Sequence, residues 1–328
     1  MIYKLKINTK YWPLREPFVI SRGETNSMDT VLVTLEGADE CCGRGECGAV
    51  TYAGETLDSL VDQIESVREQ IEAGITREQL LDLLPGGGAR CAVDAALWDL
   101  EAKQSGLSAW QIADVEEPKA TLSAYTIGIR SIAAYEERAR EFSRFPVLKV
   151  KVDRSAPIEA LEAVRRGAPN SRFIVDTNQS WSVEDMKAWA GPLSALNVVL
   201  LEQPIKVGDE PLLDGYQSPI SICADELIND QDDLEKAKGR FSVINIKLEK
   251  AGGLTQSLRL AEAARKMGFK LMVGCMGGSS LAMAPGLILA QQCDFVDLDG
   301  PLLQSEDWPG GFQYVDGNIL TTEPSFWG

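Results

Sequence analysis

The chain has 328 residues, 49 of them acidic against 32 basic, for a formal net charge of −17, and 45% of its residues are hydrophobic. That length suits one large domain or two unequal ones with a substantial core, and so negative a field disfavours nucleic acid and anionic membrane as partners. The absence of histidine excludes a Ser-His-Asp triad, a Cys-His pair, a zincin motif and a His-ligated zinc, leaving proton chemistry near neutral pH to carboxylates, Lys, Cys or Tyr.

At the N-terminus, Lys alternates with apolar residues as far as Trp12 with no continuous apolar run, which reads as a strand rather than a signal peptide. Tyr3 to Ile7, Phe18 to Ile20 and Thr30 to Leu35 are expected strands, and Gly43 to Glu55 an expected loop. Leu57, Leu60, Val61, Ile64, Val67 and Ile71 recur at helical spacing, and Ala89 to Lys103 is rich in helix formers. This α+β segment ends near Pro118.

From Thr121 the rhythm changes to short β-branched runs separated by amphipathic stretches. The expected strands are 121–129, 146–152, 172–177, 197–203, 219–224, 241–247, 269–275 and 293–299. Expected helices between them are Ile132 to Phe142, Pro157 to Arg166, Val183 to Leu193, Gln231 to Lys238, Gly253 to Met267 and Ser280 to Gln291, with Asp209 to Tyr216 a weaker case. Strict strand–helix alternation implies parallel strands with right-handed crossovers, and eight of them suit a (β/α) barrel better than an open sheet. Nothing helical is expected after the eighth strand, and the strand-like GGFQYVDGNIL suggests a tail returning to the first domain. The uncharged run Leu271 to Cys293 could span a bilayer, but Gly274, Gly277, Gly278, Ser279, Ser280 and Pro285 divide it into strand, loop and helix. Seven cysteines without a C-x-x-C read as buried thiols of a cytoplasmic protein, not as a disulfide framework.

Charges interrupt the apolar strands at the same place in successive units: Lys149 and Lys151, Asp176, Glu202, Asp225, Lys247, then Asp297 and Asp299. Each falls at or near the C-terminal end of its strand, the face where barrel enzymes carry catalytic groups. Asp176, Glu202 and Asp225 on three adjacent strands would converge at the mouth and repel one another unless a hard cation lay among them. An all-oxygen ligand set favours Mg2+, with Mn2+ admissible; salt bridges to the flanking lysines satisfy the same geometry. Lys151 and Lys247, on the second and sixth strands, face each other across a closed barrel and suit inversion of a stereocentre. Lys149 lies on the same side of its strand as Lys151, and its charge would depress the pKa of Lys151 toward the working range. A substrate carboxylate on Mg2+ would stabilise the enediolate left when one lysine removes the α-proton and the other reprotonates the opposite face.

These residues resemble the enolase superfamily, in its muconate-lactonizing-enzyme-like subgroup, and most closely the dipeptide epimerases. The likeness runs through GRGECGAVTYAGET (43 to 56), ARCAVDAALWDLEAK, the K-x-K of Lys149 and Lys151, IVDTNQSW, LLEQP, CADE, INIKLEKAGGL, MVGCMGGSS and DLDGP. A Lys base with Mg2+ is already known for superfamily sites. The resemblance implies a (β/α)7β TIM-like barrel with an N-terminal α+β capping domain: residues 1–118 as cap, 119–300 as barrel and 301–328 as a segment returning to the cap. It implies Lys151 and Lys247 as bases with Lys149 beside them, and Asp176, Glu202 and Asp225 as metal ligands. Asp297 and Asp299 would anchor a substrate α-ammonium group. The implied reaction is epimerisation of the C-terminal residue of a dipeptide such as L-Ala-D/L-Glu, with specificity in the loops near Phe18 to Asn26 and Cys47 to Glu55. Arg22 is the cation available there for a Glu side chain, although Glu24 lies close by.

Competing readings are racemisation of an N-acylated amino acid or a syn-dehydration, neither needing the D-x-D, and a non-catalytic metal-binding barrel, which would gain nothing from two bases beside a cation. A Schiff-base lysine aldolase would not need the clustered carboxylates. The sequon Asn178-Gln179-Ser180 carries no weight at a metal strand, and Gly86 to Gly88 reads as a turn before a helix. The oligomeric state is left open, a homo-oligomer included.

Overall fold

The computed structural model describes residues 2–37, 40–323 and 325–328. Its first part is a three-stranded antiparallel sheet of β1 (Tyr3–Ile20), β2 (Gly23–Gly37) and β3 (Cys42–Gly48). Helices α1 (Leu57–Ser66), α2 (Arg68–Glu72), α3 (Arg77–Leu83), α4 (Gly88–Ser105) and α5 (Ala109–Ile112) follow. Two strands expected separately, Tyr3 to Ile7 and Phe18 to Ile20, are one long strand, paired with β2 on both sides of an irregularity between Pro13 and Phe18. Pro13 and Pro17 break the alternation there and hide the continuity.

The expected loop at Gly43 is also corrected, because residues 42–48 form β3. Its glycines serve a close approach rather than a turn: a Cβ on Gly43 would stand 2.2 Å from Ala96 O, and one on Gly45 2.1 Å from Ala92 O. The backbone of α4 therefore lies directly on the strand, and only glycine fits between them. Helix α4 is apolar around most of its circumference and is buried accordingly.

After β4 (Thr121–Leu122), eight parallel strands run in chain order: β5 (Tyr125–Ile127), β6 (Val147–Lys151), β7 (Arg172–Asp176), β8 (Val198–Glu202), β9 (Ser221–Ala224), β10 (Val243–Lys247), β11 (Lys270–Gly274) and β12 (Phe295–Val296). The sheet curls until Ala124 N donates to Val296 O at 2.9 Å, joining its first and last strands. The crossovers contain α6 (Ile132–Glu141), α7 (Pro157–Gly167), α8 (Val183–Ala195), α9 (Leu234–Ala237), α10 (Leu248–Ala251), α11 (Leu254–Lys266) and α12 (Ser280–Ala290). Between β8 and β9 the expected weak helix is only a 3-10 turn, Glu210–Leu213. A four-residue helix, α13 (Gly300–Leu303), follows the eighth strand where none was expected. Among the described residues no helix is long and apolar enough to cross a membrane.

The GGFQYVDGNIL segment forms a hairpin of β13 (Gln313–Val315) and β14 (Asn318–Leu320), which pairs with β4 and not with the first sheet. The last residues do reach that part of the molecule: Trp327 Nε1 donates to Arg44 O at 3.0 Å, and Gly328 N to Asp99 Oδ1 at 2.9 Å.

Helix α4 meets the barrel where α10 passes into α11. Arg90 donates to Ala251 O (2.6 Å) and Gly252 O (3.1 Å), and Asp94 accepts from Thr255 N (3.1 Å) and Thr255 Oγ1 (2.5 Å). A Cβ on Gly253 would stand 2.4 Å from Asp94 Oδ2, so this glycine admits the carboxylate. Burial pushes Asp94 up to about 6 against the hydrogen bonds from Thr255. An acid whose folded pKa is raised keeps its proton longer folded than unfolded. Its contribution to stability is therefore complete below the unfolded value and is lost as pH rises to about 6. Asp94→Asn should accordingly gain melting temperature relative to the parent as pH is raised from 4 to 7. A difference independent of pH would refute this assignment.

Candidate active site

The register of the barrel sets the charges at one level. Lys151 pairs with Asp176 across β6 and β7, and Asp176 with Glu202 across β7 and β8. Lys149, two residues earlier, projects to the same side as Lys151. A cleft of about 100 Å³ opens above these strand ends, lined by Lys149, Lys151, Lys247, Asp297, Asp299 and, from the β1–β2 hairpin, Arg22. Asp176, Glu202 and Asp225 lie under the lysines at 1%, 0% and 1% exposure.

Lys149 is the hub. Its ammonium lies 2.7 Å from Asp297, 2.8 Å from Glu202 and 3.2 Å from Asp176. Lys151 donates to Asp176 Oδ2 at 2.5 Å and to Asn178 Oδ1 at 3.1 Å. Across the barrel, Lys247 donates to Asp225 Oδ2 at 2.8 Å. Asp299 accepts from Thr126 N at 2.5 Å, and Asp297 Oδ1 from Thr126 Oγ1 at 3.3 Å.

The titration behaviour follows from these pairings. Burial alone would lower Lys149, but Asp297, Glu202 and Asp176 outweigh it and hold the ammonium well above the usual range. Lys247 is likewise held up against burial, by Asp225. Asp176 stays low despite burial because Lys151 and Lys149 flank it, and Asp225 stays low because of Lys247 and Lys250. Glu202 behaves differently: burial and then the charge of Asp176 push it up to about 8. Asp299 is raised to about 7 by burial and by Asp297.

The donor set suits a hard cation, being carboxylate oxygen throughout. Glu202 Oε2 is buried and, although close to the Lys149 ammonium, accepts no well-directed hydrogen bond. Among the described residues no three acidic or thiol side chains are already drawn together as a closed cage. Each of the three carboxylates is engaged by a lysine: Asp176 by Lys149 and Lys151, Glu202 by Lys149, and Asp225 by Lys247 and Lys250.

Sequence reasoning missed several members of this network. Lys250 is buried and donates to Asp225 Oδ1 at 2.7 Å; its signal was a second lysine three residues past Lys247. Asn245 donates from Nδ2 to Glu202 Oε1 at 2.9 Å, on the same side of β10 as Lys247. Arg22 is present at the cleft, but it is paired with Glu226 at 2.5 Å, not with Glu24, and it lies 5.0 Å from the Tyr52 ring.

Lys149→Met should destabilise the fold by about 3–5 kcal/mol, the cost of leaving buried carboxylates without their cation. Thermal melting at pH 7 measures this. A melting temperature equal to the parent's would remove Lys149 from the centre of the network.

Comparison with known proteins agrees with this architecture. Residues 2–113 match the mandelate racemase / muconate lactonizing enzyme N-terminal domain, and residues 132–323 match the enolase C-terminal domain-like family. The chain therefore belongs to the mandelate racemase/muconate lactonizing enzyme family of the enolase superfamily. It is 38% identical over 320 residues to the L-Ala-D/L-Glu epimerase of Escherichia coli K12, covering 96% of this chain and 98% of that one. It is 44% identical over 290 residues to an N-acetyl-D-glutamate racemase of a Pseudoalteromonas species, covering 87% and 91%. A solved enolase family member from Agrobacterium tumefaciens, with homology to dipeptide epimerases, superposes with a TM-score of 0.96 at 36% identity over the whole of both chains. That structure holds sodium and L-Ala-L-Glu with an ordered loop.

Proposed function

We propose that the chain epimerises a dipeptide of the L-Ala-D/L-Glu kind by removing and returning the α-proton of the C-terminal residue. The observation that carries this reading is the placing of Lys151 and Lys247, on the second and sixth of eight strands, at opposite walls of one cleft. One lysine takes the proton from one face and the other delivers a proton to the opposite face, which inverts the centre. Lys149 would position the carboxylates and is too firmly paired to share the proton transfer.

Asp176, Glu202 and Asp225 are the residues that would hold Mg2+, with Mn2+ able to replace it. When bound, the cation supplies positive charge against the negative charge that develops on the substrate carboxylate. Asp297 and Asp299 line the cleft together and would receive the α-ammonium group of a dipeptide. Arg22, bonded to Glu226 through Nη1, would meet an acidic side chain with the remaining N–H groups of its guanidinium. Among the described residues the seven cysteines form no disulfide, with Cys47, Cys91 and Cys223 buried and the other four only partly so, an arrangement that suits a reducing cytoplasm.

The 44% relative favours a second reading, racemisation of an N-acylated glutamate. The two differ at the amino end, since an acylated nitrogen carries no charge. Wild type, in D2O with Mg2+, is expected to incorporate deuterium into the C-terminal residue of L-Ala-L-Glu. Lys151→Ala and Lys247→Ala should each lower epimerisation by about 10²–10⁴-fold. Asp297→Asn with Asp299→Asn should raise the KM for dipeptides by roughly tenfold or more. Exchange of N-acetylglutamate but of no dipeptide would move the chain to the second reading.

Saturating Mg2+ should also raise the melting temperature of the parent by mass action. No such rise is expected for Asp176→Asn combined with Glu202→Gln, and an equal rise in both would displace the metal site from these strands.

A further inference from the structure

We infer that Asn178 is the positioning residue for Lys151, with Glu226 and Arg22 holding its amide in the orientation this requires. The inference rests on the two-lysine reading above and adds to it what distinguishes the two lysines.

Asn178 stands two residues past the end of β7 with φ at 45°, in the left-handed region that Asn tolerates better than most residues. Its side chain and backbone N–H are all engaged. The backbone N–H donates to Asp176 Oδ1 at 2.9 Å, Nδ2 donates to Glu226 Oε1 at 3.3 Å, and Oδ1 accepts from Lys151 Nζ at 3.1 Å. An amide between an ammonium and a carboxylate has one favourable orientation, since a flip would set donor against donor and oxygen against oxygen. Glu226 is itself fixed by Arg22 Nη1 at 2.5 Å and is almost wholly buried.

A continuous chain thus runs from the cap hairpin to one catalytic lysine: Arg22, Glu226, Asn178, Lys151. The opposite lysine has other partners, with Lys247 Nζ on Asp225 Oδ2 and 4.0 Å from Met276 Sδ. Removing the Asn178 amide should therefore misplace one lysine and spare the other. A general loss of structure would affect both.

The test follows deuterium exchange in D2O separately for the two epimers of the C-terminal residue, because each lysine removes the α-proton of one epimer. Lys151→Ala identifies the epimer whose proton faces Lys151. Asn178→Gly keeps the left-handed backbone at little cost. It is expected to slow exchange of that epimer by roughly tenfold or more, and the other by less than about twofold.

Asn178→Asp keeps the shape of the side chain but sets a second carboxylate against Glu226, and should give the same one-sided loss if the glycine variant folds poorly. Adding Glu226→Gln to Asn178→Asp restores a donor–acceptor pair at that contact and should recover part of the exchange. Equal slowing of both epimers, or slowing of neither, would overturn the inference.

If wild type exchanges N-acetylglutamate instead of a dipeptide, the dipeptide reading fails. The same comparison is then made on the two enantiomers of that substrate, with the same outcomes deciding for or against Asn178. A wild type that exchanges neither compound overturns both.

Discussion

The barrel mouth depends on the compensation of buried charge. Five carboxylates, Asp176, Glu202, Asp225, Asp297 and Asp299, and four lysines, Lys149, Lys151, Lys247 and Lys250, are all withdrawn from solvent there. Charges so placed cost several kcal/mol apiece unless each finds an opposite charge and further hydrogen bonds. Lys149 meets most of that demand, touching one carboxylate on each of β7 and β8 and a third just past β12. The parallel register makes this possible, because it brings the ends of successive strands to the same height. Lengthening any one strand by a residue would turn its charged side chain into the barrel wall.

The cap is tied to this mouth by contacts that tolerate no added atoms. Gly43 and Gly45 let α4 lie on β3, and Gly253 lets Asp94 reach Thr255. A further carboxylate, Glu46, accepts from Trp12 Nε1 (2.8 Å), Ser279 Oγ (2.7 Å) and Trp308 Nε1 (2.7 Å), so the first sheet, the loop before α12 and the C-terminal segment share one buried anion. These partners all offer a donor, which a carboxylate can accept and an amide could not match throughout. The first sheet, whose β1–β2 hairpin carries Arg22, is in this way tied to the barrel and to the C-terminal segment by polar contacts.

Much of this was legible in the sequence because the governing patterns are local. Alternating β-branched runs and amphipathic stretches predicted the six inner barrel strands near their observed bounds, whereas 121–129 splits into β4 of another sheet and β5, and 293–299 shortens to β12; the charges breaking the runs marked the face of the site. The failures are equally physical. Gly43 and Gly45 look the same whether glycine makes a turn or yields space to a helix, so the sequence pattern of β3 is that of a loop. Pro13 and Pro17 concealed one long strand. Lys250 and Asn245 resembled ordinary polar residues, since burial is a property of the closed barrel and not of the residues near them. Glu24 is the acidic neighbour of Arg22 in sequence, while its partner Glu226 lies 204 positions away.

Lys151 and Lys247 are each paired with a buried carboxylate that has a second cation. In the proposed reaction each base must be released from a carboxylate before accepting a proton, Lys151 from Asp176 and Lys247 from Asp225, with which they are paired. Asp225 then keeps the Lys250 ammonium at 2.7 Å, and Asp176 keeps Lys149 at 3.2 Å. Each buried carboxylate would thus retain a cation when the proposed base beside it turned to the substrate, and neither would be left as an uncompensated charge. Lys149 and Lys250 are therefore required by the electrostatics of the site although neither needs to transfer a proton.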